Sequence, residues 1–123
     1  MKYLQTINEY QRTVGFRYSE PKESYNIALL LKGEDITLDK IVFGLSKVSE
    51  LVYDRESIEV NILDEETIVE LENVSVQIDA VVDFNITVYN EREILTIVEE
   101  LDKKLSVFNI QVLDFKSKEN LAN

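Results

Sequence analysis

The sequence predicts an α+β domain in which two helices cover one face of an antiparallel β-sheet. Residues 74–89 alternate between apolar and polar side chains, which is typical of a long strand with one buried face. Residues 37–53 and 90–105 instead place apolar side chains three and four positions apart, the spacing of amphipathic helices. Shorter alternating stretches before, between and after these segments supply the remaining strands.

The chain has the size and composition of one domain spanning residues 1–123. Of its 123 residues 45% are hydrophobic and only three are Gly and one Pro, so we expect a core and no long linker. Residues 1–20 are predicted to form a short N-terminal helix and extension, and the polar residues 116–123 a flexible tail. The first residues lack a signal-peptide pattern and no apolar run has the length of a membrane span, so we expect a cytoplasmic location.

Histidine and cysteine are both absent from the sequence. This argues against a zinc site, thiol chemistry, a disulfide and any catalytic triad that uses histidine. Carboxylates are the abundant reactive groups that remain. Asp79 and Asp83 share a strand face, but about 13 Å separates them, too far for the carboxylate pair of a retaining glycosidase. We therefore expect a protein that is not an enzyme and holds no metal or cofactor.

The elements follow one another with few breaks. The first strand is predicted at residues 25–32, and a helix from a Thr37 cap to about Tyr53 follows it. Residues 58–62 and 67–72 alternate again, and we expect them to form a β-hairpin around an acidic turn between them.

The apolar positions change parity at Asn73, from odd-numbered before it to even-numbered after it. A single strand cannot keep one buried face through that change, so a bulge or sharp bend is expected there. The long strand is predicted to run unbroken from there. Asn90 is then expected to cap the second helix, with Glu93 completing a capping-box pair, and residues 107–115 to form the last strand.

The core order β-α-β-β-α-β is that of a ferredoxin-like, split β-α-β fold, here with an extra β-hairpin and the N-terminal helix. Its two helices would cover one sheet face. The opposite face would be open, or covered by the N-terminal helix or by a second subunit. This fold hosts many unrelated functions and by itself indicates none.

The acidic residues are concentrated in the middle of the chain. Residues 54–100 contain 14 acids against Arg55 and Arg92, a net charge of 2 − 14 = −12, whereas the whole chain carries −11. Such a surface attracts basic partners and repels nucleic acid. The candidate partner-binding residues are Glu59, Asp64, Glu65, Glu66, Glu70, Glu72, Asp79 and Asp83.

Within this set, Glu70 and Glu72 are predicted to share a strand face about 7 Å apart, with Glu59 opposite them across the hairpin. Acid arrays of this kind can occupy a phosphate-binding groove by pairing with its Lys and Arg side chains.

Two weaker candidates remain. The aromatic residues Tyr3, Tyr10, Phe16 and Tyr18 form either an interface anchor or part of the core. The turn at residues 32–35 lies where regulatory domains of the ACT kind bind small ligands, an analogy based on the fold alone.

These observations favour a non-enzymatic, acidic protein-binding module whose partner has a basic, nucleic-acid-handling surface. We expect no direct contact with nucleic acid or membrane. The composition resembles that of small acidic inhibitors, such as phage anti-defence proteins and toxin-immunity proteins, although no motif identifies a family. The alternatives are a homo-oligomeric structural or assembly subunit of a phage-like particle and a small-molecule regulatory domain.

Overall fold

A computed structural model describes residues 22–121, which form an α+β domain with one four-stranded antiparallel sheet and two helices. In chain order the elements are β1 (Glu23–Lys32), α1 (Leu38–Ser46), β2 (Val52–Leu71), β3 (Val74–Val88), α2 (Glu93–Leu105), a short 3-10 helix (Ser106–Phe108) and β4 (Gln111–Glu119). The predicted α+β class is confirmed. The predicted N-terminal helix and the aromatic candidates Tyr3, Tyr10, Phe16 and Tyr18 lie outside the described residues.

One face of the sheet forms the hydrophobic core together with both helices. Side chains alternate along the two central strands, so that Ile27, Leu29 and Leu31 of β1 lie beside Val82 and Phe84 of β3, all fully buried. The helices cover these residues with the apolar stripes that the sequence predicts. The stripe residues buried on α1 and α2 are Ile41, Leu45, Ile94, Val98, Leu101 and Leu105.

The strand order across the sheet is β2-β3-β1-β4, so β2 and β4 are the edges. The predicted hairpin within residues 58–72 is wrong, because β2 runs through that region as one strand and pairs with β3 along both their lengths. The chain reverses instead at Glu72 and Asn73, both with positive φ (50° and 67°), while Leu71 pairs with Val74. Positive φ at both central residues is the pattern of a type I′ hairpin turn.

This turn explains the change of parity at Asn73. Partners across a two-residue turn lie on the same face, so between Thr67 and Leu71 the odd-numbered residues of β2 share a face with even-numbered residues of β3. The predicted bend is therefore a complete reversal. The prediction that the following stretch is a single strand is confirmed.

Two irregularities interrupt the pairing of β2 with β3, between Asp54 and Glu59 and between Ile62 and Thr67. At the first, Ser57 replaces the missing backbone partner, since its hydroxyl accepts from the Asn85 N–H (2.8 Å) and donates to the Asp54 carbonyl (2.6 Å). The second contains Asp64, Glu65 and Glu66, which the sequence placed at a hairpin tip. These three acids instead bulge from an edge strand, where such bulges hinder pairing with a further strand.

The helices begin near the predicted residues. The Thr37 hydroxyl accepts from the Lys40 N–H (3.3 Å) at the start of α1, and the Glu93 carboxylate accepts from the Asn90 N–H (3.0 Å) before α2. The end of α1 is different, because the helix stops at Ser46 and Glu50 has a positive φ of 59°, which redirects the chain into β2.

The last strand also differs from its predicted bounds. It runs over Gln111–Glu119, so residues 116–119 of the predicted tail belong to the sheet, and Glu119 pairs with Tyr25. Alternation places Phe115 and Ser117 on the helix face and Lys116 and Lys118 on the other. Residues 114–119 therefore pair regularly with β1 although most of them are polar.

Candidate binding surface on the β2–β3 ribbon

The distal part of the β2–β3 hairpin extends beyond the other two strands. β1 pairs with β3 only as far as Ala80, so among the strands of residues 22–121 β2 is the single neighbour of residues 74–79 of β3. We call residues 63–79 the ribbon. It projects about 20 Å, since strand residues advance by about 3.3 Å each.

The ribbon has an apolar face continuous with the helix face of the sheet. Val69 lies opposite Val76 and Leu71 opposite Val74, beyond the region that the helices cover. Val74 is 59% exposed, and Ile68 on the other face is 56% exposed. An isolated two-stranded hairpin is only marginally stable in water, so this segment would gain stability from a docked partner.

The ribbon is also strongly acidic. Between residues 56 and 91 the sequence has no Lys or Arg, and residues 63–79 alone hold six acids. Asp64, Glu65, Glu66, Glu70 and Glu72 are all exposed. Adjacent carboxylates without interspersed bases produce a negative potential, which favours encounter with a basic surface.

The structure divides the eight predicted partner-binding acids into two groups. Six lie on the ribbon, whereas Glu59 and Asp83 form a directly opposed pair over the body of the sheet, on the face away from the helices. The predicted array of Glu59, Glu70 and Glu72 is therefore wrong. Glu70 pairs with Ser75, so about 26 Å of strand separates it from Glu59, and Glu72 lies in the turn.

Asp79 has a structural contact that the sequence did not indicate. Its carboxylate accepts a hydrogen bond from the Gly33 N–H (2.8 Å), and this bond ties the base of the ribbon to the turn that follows β1. The side chain is half-buried, whereas the other ribbon acids are exposed.

We expect Asp79→Ala to lower the free energy of unfolding by about 1–2 kcal/mol, because it leaves the Gly33 N–H without its carboxylate partner. Asp79→Asn keeps an oxygen acceptor and should cost less. Asp83→Ala is the matched control, since it removes an acid from the same strand face. Urea denaturation measures all three, and equal stability of the two alanine variants would contradict the structural role of Asp79.

The turn at residues 32–35 is tightly packed rather than open. A Cβ atom on Gly33 would lie 2.9 Å from the Asn109 carbonyl oxygen and 3.1 Å from the Ile110 Cα, so glycine is needed for close approach. A surface pocket of about 720 Å³ lies instead at the other end of the sheet, where Lys22, Val52, Tyr89 and Arg92 contribute to its lining. The geometry of the turn thus favours a structural role for Gly33.

Tyr25 has a raised pKa, because burial disfavours its phenolate and because Glu23, Glu119 and Glu91 lie nearby. It lies on the helix face at the end of the sheet opposite the ribbon. Among residues 22–121, no group of three or more acidic side chains is arranged to hold a metal ion. In the same range, no helix is both long and apolar enough to cross a membrane.

Comparison with known proteins adds little to this geometry. No protein-family model and no curated protein sequence matches the chain. A solved structure that it resembles is the YXEP protein of Bacillus subtilis, described as a dinuclear metal-binding peptidase of the M20 family, with 11% identity and a TM-score of 0.44. The match covers 80% of this chain and 26% of the peptidase, so this chain spans about a quarter of that protein. At this level of similarity we base no functional argument on it.

Proposed function

We propose that this chain is a non-enzymatic, acidic protein-binding module that docks its ribbon onto the basic, nucleic-acid-handling surface of a partner protein. The observation that carries the proposal is the projecting hairpin itself, which has six acids, five of them exposed, and no base. Within residues 22–121, each of its two strands has the other as its neighbour. A projecting element can enter a groove that a flat sheet face cannot. Inhibition of the partner follows if the ribbon occupies the site where the partner binds phosphates.

The apolar face of the ribbon supports a docked complex rather than loose electrostatic attraction. Acidic side chains speed encounter and fix orientation, whereas buried apolar contacts at the centre of an interface contribute most of the affinity. On this face Val74 is 59% exposed, and on the opposite face Ile68, two positions from Glu70, is 56% exposed. A partner groove that combines Lys or Arg with an apolar floor would match both features.

The domain frame behind the ribbon supports a ferredoxin-like arrangement, which we include in the proposal. Its order β-α-β-β-α-β with the sheet order β2-β3-β1-β4 places both helices on one face, as in a split β-α-β unit. In this arrangement the hairpin that joins the second and third strands is the element free to lengthen. The ribbon is such an extension, and in this proposal the rest of the sheet and the two helices support it without contacting the partner.

The double reversal Glu70→Lys with Glu72→Lys tests the proposed function. The wild-type chain is immobilised and used to capture proteins from a nuclease-treated extract of cells that express it. The captured protein is identified, purified and titrated calorimetrically at low and high salt. We expect the variant to bind it about 10- to 100-fold more weakly, because each reversal replaces attraction by repulsion at a docked basic surface.

The control variant Glu91→Lys with Glu99→Lys makes the same change in net charge at exposed positions before and on α2, and it should bind like the wild type. Duplex DNA should displace the chain from its partner if the ribbon occupies a phosphate-binding groove. Equal binding by both double variants, or a complex that is insensitive to DNA, would contradict the proposal.

A further inference from the structure

The face of the sheet opposite the helices has a charge layout that runs from one edge to the other. Residues paired across the four strands form rows on this face. From the β2 edge to the β4 edge, three rows consist of Asp54, Asn85, Asn26 and Lys118; of Glu59, Asp83, Ala28 and Lys116; and of Asn61, Val81, Leu30 and Asp114. In the first two rows an acid lies at the β2 edge and a lysine at the β4 edge.

We propose that this face binds a second copy of the chain, with the two sheets stacked about a two-fold axis parallel to the strands. Such an axis, between β3 and β1, places β2 of one copy over β4 of the other. Because it leaves positions along the strands unchanged, each row lies over the same row of the second copy. Sheets stacked in this way keep their strands within about 30° of each other and lie about 10 Å apart. The inference concerns a surface distinct from the ribbon and does not depend on the proposed function.

Charge complementarity selects this axis. It places Asp54 opposite Lys118 of the second copy and Glu59 opposite Lys116, and each pair occurs twice because the interface is symmetric. A two-fold axis perpendicular to the strands and in the plane of the sheet would instead stack β2 on β2, and it would bring Glu59 close to the acids on β2 of the second copy. Opposite potentials favour the first arrangement and oppose the second.

The row nearest the ribbon suits contact with a copy of itself. In the third row the axis places Val81 of each copy opposite Leu30 of the other, so that apolar side chains meet twice across the interface. In the first row, the Asn26 Nδ2 donates to the Asn85 Oδ1 (3.2 Å), and Asn120 donates to the same oxygen (3.3 Å). Covering this oxygen therefore costs less than covering an unpaired amide, because its partners lie within the same chain.

The size of the patch sets the expected strength. Three rows across four strands cover roughly 400 Å² per copy, about half of what a standard interface contributes from each partner. We therefore expect a weak dimer with a dissociation constant in the micromolar range, tighter at low salt because the paired charges are only partly removed from solvent.

Reversal of charges one at a time and then together tests the pairing by sedimentation equilibrium. Glu59→Lys alone and Lys116→Glu alone should each weaken the dimer by about tenfold or more, since either change creates two like-charged contacts. The double variant restores opposite charges across the axis and should dimerise within about threefold of the wild type. Far-UV circular dichroism checks that each exposed substitution leaves the fold intact.

The matched controls are Glu99→Lys and Lys103→Glu on α2, exposed positions on the helix side of the sheet. They make the same charge changes and should leave dimerisation unchanged. A wild-type chain that stays monomeric at hundreds of micromolar would overturn the proposal and leave this face to residues 1–21 or to solvent. A dimer that both single variants weaken but the double variant does not restore would overturn the proposed axis.

Discussion

Phe84→Ala is expected to lower the free energy of unfolding by about 3–5 kcal/mol, a large share of the total stability of a domain of this size. Phe84 is fully buried in β3, beside Ile27 on the neighbouring strand and beneath both helices. The substitution removes a ring from a close-packed centre and leaves a cavity that the rigid sheet cannot fill. The measurement is urea denaturation, in which the midpoint should fall while the slope with denaturant stays the same.

Phe43→Ala is the matched control, because it makes the same chemical change where the ring is 43% exposed. The Phe43 ring contacts Phe108 edge to face with centroids 5.4 Å apart, so some loss is expected, about 1–2 kcal/mol. Equal losses at the two positions would contradict the register of β3. A shift of one residue would turn Phe84 towards the open face and bury Asp83 and Asn85 instead.

The helix face of the sheet could be predicted from the sequence because it depends on local periodicity alone. The alternation in residues 74–88 fixes which side chains of β3 are buried, and the helical stripe with Leu101 and Leu105 identifies the face that α2 turns towards the sheet. Thr37 and Glu93 mark helix starts because their side chains bond backbone N–H groups within the next or preceding turn. No long-range pairing is needed for any of these features.

The hairpin turn could not be located from the sequence because its residues are not those with the strongest turn signal. Asn at a positive φ is common in such turns, but Glu72 before it is not, and the Asp64–Glu66 run looks more like a loop. The parity change at Asn73 did mark the position of the turn. A reversal over two residues places odd and even positions on one face, as the observed pairing of Val69 with Val76 requires.

The arrangement of the acids could be predicted only in part. Their concentration in the middle of the chain is a property of composition, and the structure places all eight predicted residues on β2, β3 or the turn between them. Their division between the ribbon and the open face depends on two strand irregularities and on the length of β1, which ends its pairing at Ala80. Local sequence patterns do not predict where a neighbouring strand ends. The hydrogen bond from the Gly33 N–H to Asp79 joins residues 46 positions apart, so local patterns could not predict it either.

The apolar face of the ribbon was missed as a candidate surface for a related reason. Val69, Leu71, Val74 and Val76 follow the same alternation as the core residues further along β3, so periodicity assigns all of them to a buried face. Whether that face is covered depends on the reach of the helices. Sequence reasoning can thus find an apolar stripe, whereas only the tertiary arrangement shows that Val74 near its distal end is 59% exposed.

The two helices meet closely enough that we expect Gly44→Val to lower the free energy of unfolding by about 3 kcal/mol. A Cβ atom on Gly44 would lie 2.8 Å from the Leu105 Cδ2 and 3.0 Å from the Leu101 Cδ1, and both leucines are fully buried. Valine adds two further methyl groups to that space. Its better helix propensity, about half a kcal/mol, does not offset the overlap.

A double-mutant cycle with Leu105→Ala separates overlap from other causes of instability. Leu105→Ala alone should cost about 2–5 kcal/mol through the cavity that it leaves. Combined with Gly44→Val, it creates room for the added methyl groups, so the double variant should be at least about 1 kcal/mol more stable than the sum of the single changes predicts. Additive losses would mean that α1 and α2 are not in contact at Gly44. The helix pair would then have to meet elsewhere along α1, and the cover over Ile27 and Phe84 would be looser than the buried side chains require.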